Sequence, residues 1–297
     1  MMNGTLRAWY QASRAPFFVA TLIPLALGGA VAQTQGSWNT FRWLVVLFAS
    51  FLVHLATNLA NDYFEYVSGA DSGEAIGGSR VIQEGKITPQ QIFNVLVLCY
   101  GIALFCGVWL MWASRLWWMV LLMAFCFFSS LFYTAPPVRY GYRGLGEIFV
   151  GLNMGPMMVV GSAAVLAGGF VPRALWLSFP IGLMVALILY YQSLSDIEED
   201  RLVGKRTLAV RLGKAGALRG FRFFIGSTLG CMVLLVATGL LDRVALLSLV
   251  TLIPAWSIDR TIRKTANWKD LHDRGGKVRL FYLANGLIMV VSVALCR

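Results

Sequence analysis

Three carboxylates, Asp62, Glu65 and Asp71, stand in the stretch NLANDYFEYVSGAD (residues 58–71), at the end of a long apolar run. Ionised groups in such a place are costly and point to a function. Asn58, Asp62 and Glu65 follow i, i+4, i+7 spacing, which at about 100° per residue keeps them within about 40° of one another on a helix. Asp71 comes after Ser68 and Gly69, where the chain can leave the helix and fold back over that stripe. A second cluster, YQSLSDIEEDRLVGKRT (191–207), repeats the pattern: Gln192, Asp196 and Asp200 share a helix face, with Glu199 beside them and Glu198 turned away. Facing carboxylates repel unless something positive lies between them. Their hard oxygens suit Mg²⁺, which takes one or two carboxylates per ion, keeps several waters and bridges to substrate phosphates. With Arg80, Lys86, Lys205 and Arg206 in the adjoining loops, the clusters have the composition to hold a magnesium diphosphate. A diphosphate clamped in this way is a good leaving group. Solvated helix ends that help to set topology would explain one such carboxylate. They explain two clusters poorly, because Asp and Glu contribute little to topology.

The elements that must position these residues are membrane helices. Of the 297 residues, 58% are apolar and 13% charged, and the mean hydropathy is +0.69, whereas ordinary soluble domains carry about 25% charged residues. Nine segments approach the roughly 20 apolar residues that a bilayer crossing needs: near 15–33, 43–64, 90–112, 116–134, 145–167, 174–194, 221–241, 244–258 and 279–296. The eighth is the weakest, being short and containing Pro254. No alternating barrel pattern appears, so helices are the spanning element. Nine spans divide the 25 Lys and Arg residues twenty to five between the two sides, which sets the N-terminus and both acidic clusters on the cytoplasmic side. The net charge of +11 is thereby a topology signal, and no nucleic-acid partner is needed to explain it. The loops are too short to fold alone, so the expectation is an all-α polytopic bundle of about nine helices, a single domain over 1–297, with a cytoplasm-facing acidic cavity. Arg7 and Arg14 precede an apolar run that exceeds a signal-peptide h-region, so an uncleaved first helix is expected. The five cysteines show neither metal-type nor disulfide-type spacing.

In the order of its motifs, over nearly the whole chain, the sequence resembles the UbiA superfamily of intramembrane polyprenyltransferases, which have nine helices and two Asp-rich cytoplasmic motifs. Asn58, Asp62, Glu65 and Asp71 fall on the first motif, with Glu65 where aspartate is usual, and Asp196 and Asp200 fall on the second. GGSRVIQEGKITPQQ (77–91), YTAPPVRYGYRGLGEIFVGLNMGP (133–156) and SDIEEDRLVGKRTLAVRLG (195–213) are most similar to the branch that prenylates 1,4-dihydroxy-2-naphthoate in menaquinone biosynthesis. After Tyr133 the chain carries Pro137, where some relatives have lysine. The resemblance implies Mg²⁺-dependent transfer of a prenyl chain from a polyprenyl diphosphate to an aromatic carbon at the plasma membrane, with decarboxylation of the naphthoate to demethylmenaquinol. It makes Asp62, Glu65, Asp196 and Asp200 metal ligands and Asn58 a supporting ligand. Asp71 becomes a ligand or the deprotonating base, and Arg80, Lys205 and Gln192 become substrate contacts. The partners implied are the diphosphate donor, the aromatic acceptor and the lipid bilayer, with no obligate protein.

Other acceptors (4-hydroxybenzoate, homogentisate, a tetrapyrrole) and terpene cyclisation are alternatives within the superfamily. A secondary transporter, the rival from another class, needs carboxylates near the midplane and a polar path across; here both clusters lie at one end. Glu147, Asn153 and His54 are polar residues inside apolar segments, suited to interhelical hydrogen bonds or to lining a pocket. Gly151 and Gly155 form a small-xxx-small pair that favours close helix packing.

Overall fold

The computed structural model describes residues 4–70 and 78–296. The chain is helical, and some of its helices begin at side chains that accept their first N–H groups. Helix α1 (Gly4–Ser13) is followed by a short turn and by α2 (Val19–Thr34), and the two segments are bent by 50° at their junction. At the bend Arg14 adopts the left-handed region (φ +51°) just before the turn that holds Pro16. Helix α3 (Thr40–Val67) starts at Asn39, whose side chain accepts the Arg42 N–H. Helix α4 (Pro89–Ser114) starts with a reciprocal Thr88–Gln91 capping box and Pro89 in its first turn, where a missing N–H costs nothing.

The remaining elements are α5 (Met119–Leu131), α6 (Gly146–Ala167), α7 (Pro172–Ser195), the short α8 (Ile197–Leu202), α9 (Leu208–Ala237), α10 (Arg243–Lys264) and α11 (Gly276–Leu295). Three depart from regular α geometry, one of them α9, which is interrupted at Gly213 (φ +61°, ψ 179°). Helix α6 contains a π turn over Asn153–Met157, which includes Pro156. Helix α10 winds as a 3₁₀ helix over Arg243–Thr251 before turning α-helical two residues ahead of Pro254.

Among the described residues seven helices are long and apolar enough to span a bilayer, and the bent pair α1–α2 makes an eighth. The segment expected near 116–134 forms only the 13-residue α5, about 20 Å long at 1.5 Å per residue against a hydrocarbon core of about 30 Å. The left-handed Arg115 (φ +58°) ends α4, and a turn at Leu116 to Trp118 takes up the start of that segment.

Helix α7 is the axis of the bundle, and Leu177, Ile181, Met184, Leu187 and Tyr190 are fully buried along it. It meets α6 almost backbone to backbone: a Cβ placed on Gly182 would lie 2.7 Å from the Gly151 carbonyl oxygen, and one on Gly155 would lie 2.8 Å from the Gly182 Cα. Two buried phenols tie other helices in place. Tyr190 donates to the Ala217 carbonyl at 2.9 Å and Tyr282 to the Ala20 carbonyl at 3.0 Å. Leaving such a hydroxyl unpaired would cost about 1–3 kcal/mol. A second cluster, with Leu59, Ile92, Leu96 and Val81, packs α1, α3, α4 and the loop before α4.

Candidate active site

Asn58, Asp62 and Glu65 lie on α3 as the spacing requires, and all three are buried. The second cluster is arranged differently from a continuous helix. Helix α7 stops at Ser195, Asp196 sits in the break (φ −102°, ψ 7°), and α8 resumes at Ile197. The Asp200 N–H still donates to the Asp196 carbonyl at 2.8 Å, so the turn survives the break and both aspartates reach the same space.

That space is one cavity of about 1280 Å³. Asn58, Glu65, Gln192, Asp196, Asp200 and Lys205 all line its mouth. Lys205 is the hub. Its ammonium lies 2.8 Å from Glu65 Oε1 and 3.6 Å from Asp200 Oδ1, and 4.8 Å from the centroid of the Tyr142 ring. Lys205 thus reaches a carboxylate 140 positions away. Thr207 donates to Asp200 Oδ2 at 3.3 Å, and the Arg206 N–H donates to the Tyr142 carbonyl at 2.8 Å, which knits the loop after α8 to the loop before α6. Burial pushes the Asp200 carboxyl up to about 6, opposed by Lys205 and aided by Asp196 and Glu65. Asp196 is also raised by burial, against its hydrogen bond from Ser195 and the charges of His272 and Lys205. Burial works against the Lys205 ammonium, but Glu65, Tyr142 and Asp200 outweigh it and hold the amine above the ordinary lysine value.

Asp62 stands apart from the other carboxylates. It is 3% exposed and lies behind the cavity wall. One oxygen takes the Arg14 guanidinium and the Ser79 N–H (3.1 Å), and the other takes the Ser79 hydroxyl. In this arrangement it fastens α1 and the loop at 78–82 onto α3, helped by Asn58, which donates to the Ser13 carbonyl at 3.0 Å, and by Gln11, which donates to the Ser79 carbonyl at 2.7 Å. Arg80 occupies a left-handed position (φ +60°) in that loop, near enough to Glu84 to lower its carboxyl value, though Lys86 and Gln11 do so more strongly. Among the described residues Arg80 is outside the cavity lining. Asp71 lies outside the described residues.

Several site residues carry no local sequence signal. Arg14 reads as a topology charge, yet it lines the cavity and pairs with a carboxylate 48 positions away. Ser79, Asn61, Tyr142 and Thr207 also line the mouth or bond its carboxylates. Glu199 lines it too, with Oε1 paired to Lys269 at 2.5 Å. Its Oε2 is buried and, among the described residues, has no hydrogen-bond partner. Deeper in, His54 bonds Thr21 at 2.6 Å, Asn153 accepts from Ser129 at 2.9 Å, and Tyr100 bonds Ser130 at 2.8 Å; these pairs satisfy polar groups along an otherwise apolar wall.

Oxygen donors with a buried orphan among them fit a hard divalent cation. Among the described residues no three acidic, histidine or cysteine side chains converge on one metal-sized point. The fit is therefore to ions held by one or two carboxylates each and completed by water or phosphate oxygens, which is how Mg²⁺ is ordinarily bound.

Residues 21–274 match the UbiA prenyltransferase family. The chain belongs to that family. It is a prenyltransferase by that membership, and curated relatives point to one branch. It is 30% identical over 210 residues to the 1,4-dihydroxy-2-naphthoate octaprenyltransferase of Bacillus subtilis, covering 70% of this chain and 67% of the relative. To the Escherichia coli protein of the same name it is 31% identical over 234 residues, covering 77% and 76%. The fold is also that of a UbiA homolog from Archaeoglobus fulgidus whose structure has DMAPP and Mg²⁺ bound, with TM-score 0.61, 15% identity and coverage of 95% of this chain and 99% of that one.

Proposed function

We propose that this UbiA-family enzyme transfers a polyprenyl group from its diphosphate to 1,4-dihydroxy-2-naphthoate, with loss of the ring carboxylate as carbon dioxide, giving demethylmenaquinol. The observation that carries the reading is the continuity of the cavity: a mouth of carboxylates and Lys205 opens directly into a long apolar chamber. A diphosphate with a hydrocarbon tail is the ligand that matches both halves. The acceptor follows from the names of the relatives above. The charge asymmetry of the loops supports a cytoplasmic mouth.

Glu65, Asp196 and Asp200 would hold Mg²⁺, and Asp62 would join them once Arg14 gives up its carboxylate. When bound, the metal neutralises charge on the departing diphosphate. Lys205 and Arg14 lie where they can contact the remaining phosphate oxygens, and the Asn58 and Gln192 amides orient the group. Breaking the bond between the allylic carbon and the bridging oxygen sends the electron pair to the diphosphate and leaves an allylic cation. Tyr133, Tyr140, Tyr100 and Phe127 on the wall offer ring faces to that cation and keep water from it. The naphthol carbon that bears the carboxylate then forms the new C–C bond to the allylic cation, and the electron pair of the bond to the departing carbon dioxide restores the aromatic ring.

The test incubates purified protein with Mg²⁺, geranylgeranyl diphosphate and either 1,4-dihydroxy-2-naphthoate or 4-hydroxybenzoate, with EDTA controls and detection by mass spectrometry. A metal-dependent, decarboxylated prenyl naphthoquinol is the expected product. Product from the benzoate alone would overturn the acceptor and keep the reaction type.

A further inference from the structure

Apart from the central cavity, a cleft of about 490 Å³ at the end of α10 is lined by Trp256, Asp259, Arg260, Arg263 and Lys264. It lies on the same side of the bundle as the mouth, since the loop after α10 brings Lys269 to Glu199. Basic residues on this side are expected from topology alone. Topology asks only for charge, whereas here the charges are held in fixed places.

The group that fixes them is Asp259. It is 6% exposed, and its carboxylate takes Arg222 of α9 on one oxygen, at 2.8 Å, and Arg263 on the other. Both guanidiniums are still about half exposed. Each uses two of its five N–H groups on Asp259, so donors are left over for another acceptor. Arg260 stands over the Trp256 ring, its guanidinium carbon 5.6 Å from the centroid. The exposed Lys264 has no ion pair or hydrogen bond among the described residues. Four cations around one carboxylate leave the cleft strongly positive.

The neighbouring surface decides what kind of anion fits. Ile253, Trp256, Arg260 and Lys264, at spacings of three, four and four, share one exposed face of α10, so the cations continue directly into apolar side chains, with a tryptophan at the boundary as at a membrane interface. On α9, Gly226 and Gly230 follow Arg222 at four-residue intervals, and an added Cβ at either would meet nothing within 4 Å. Open space therefore runs along that side of α9, beyond the Arg222–Asp259 bridge. A soluble anion would use the charges and none of this surface. A phospholipid uses both.

We propose that the cleft binds an anionic phospholipid from the leaflet on the side of the mouth. Its phosphate is held by Arg222, Arg260, Arg263 and Lys264, and an acyl chain lies along Ile253 and the open side of α9. Basic pockets between membrane helices suit such headgroups. Asp259 positions two of the arginines and is too deeply buried to receive a choline group, so the ammonium of a zwitterionic headgroup meets only cations. Phosphatidylglycerol is thereby preferred to phosphatidylcholine.

The test titrates the detergent-purified protein with phosphatidylglycerol or phosphatidylcholine and reads bound lipid by native mass spectrometry. Arg260→Gln with Lys264→Gln removes two cations and leaves the Asp259 bridges intact. Arg7→Gln with Arg201→Gln removes as much charge from exposed positions outside the cleft. Wild type should bind one phosphatidylglycerol at least about tenfold more tightly than phosphatidylcholine. The first double variant should lose about tenfold or more of that affinity, and the second less than about twofold. Equal binding of the two lipids by wild type, or an equal loss in the two variants, overturns the site. Displacement of the lipid by millimolar inorganic phosphate assigns the cleft to a soluble anion and overturns the lipid.

Discussion

At the mouth of the cavity Glu65 and Asp200 are tied to Lys205 and Glu199 to Lys269, and just behind it Asp62 is tied to Arg14 and Ser79. Deeper in, where α4 and α5 line the cavity, the wall is largely apolar, with open space beside Gly101. On the proposed reading, the difference follows from what each part would recognise. A diphosphate is bound through directional, charge-assisted bonds that act well only when their donors and acceptors are fixed beforehand. A hydrocarbon tail has no directional groups, so the deeper part needs only apolar surface and room.

Four tests would break or sharpen that contrast. The largest expected effect is at the mouth: Asp196→Asn or Asp200→Asn should lower kcat by about 10²–10³, with helicity and elution volume unchanged. Near-normal turnover in a folded variant would remove that residue from the chemistry. Next, Arg14→Ala leaves the buried Asp62 carboxylate short of its cation and should cost about 3 kcal/mol of stability, seen as a lower Tm in detergent. Comparing Mg²⁺ binding by Asp62→Asn with wild type then sorts the roles of Asp62: lost affinity makes it a ligand, retained affinity with lost stability makes it a fastener. Third, Lys205→Gln removes the link between the two clusters and should raise the donor KM about tenfold. A double variant with Glu65→Gln should fall short of the summed effects, because the two groups touch. Smallest of all, Leu104→Ala at an exposed position of α4 should change stability by less than about 0.5 kcal/mol, whereas Leu177→Ala in the packed axis should cost about 2–5 kcal/mol. Comparable losses at both positions would show that α4 is packed there as tightly as the core.

Much of this was readable from residue patterns. Apolar length located the helices, and i, i+4, i+7 spacing put Asn58, Asp62 and Glu65 on one buried face of α3. Spacing on one helix is silent about what approaches that helix from elsewhere in the chain. Nothing near Arg14 announces that the bend between α1 and α2 carries it to Asp62, which changes a carboxylate expected to be open into one already occupied. The same limit hid Lys205 as the joint between the clusters, although each partner was picked out separately. The break at Asp196 does have a local signal, since Ser195 and Asp196 ahead of Glu198 and Glu199 are residue types that begin a helix, but the i, i+4 repeat of Gln192, Asp196 and Asp200 runs straight across it. Apolar composition also cannot separate a face turned to lipid from one turned to an internal cavity, so Gly101 looked like any other glycine in a span until its surroundings were known.

The π turn at Asn153–Met157 bears on how this chain tolerates changes of length. A turn closed from i to i+5 holds one residue more than an α turn, so α6 carries a spare residue there. Deleting one residue within the turn should restore plain α-helix and leave both flanks in register. The same deletion made a turn later, after Met158, would rotate the rest of the helix by about 100° and swing Gly161, Ser162 and Val165 away from the cavity they line. Single-residue deletions in α6 should therefore be accepted at this one place.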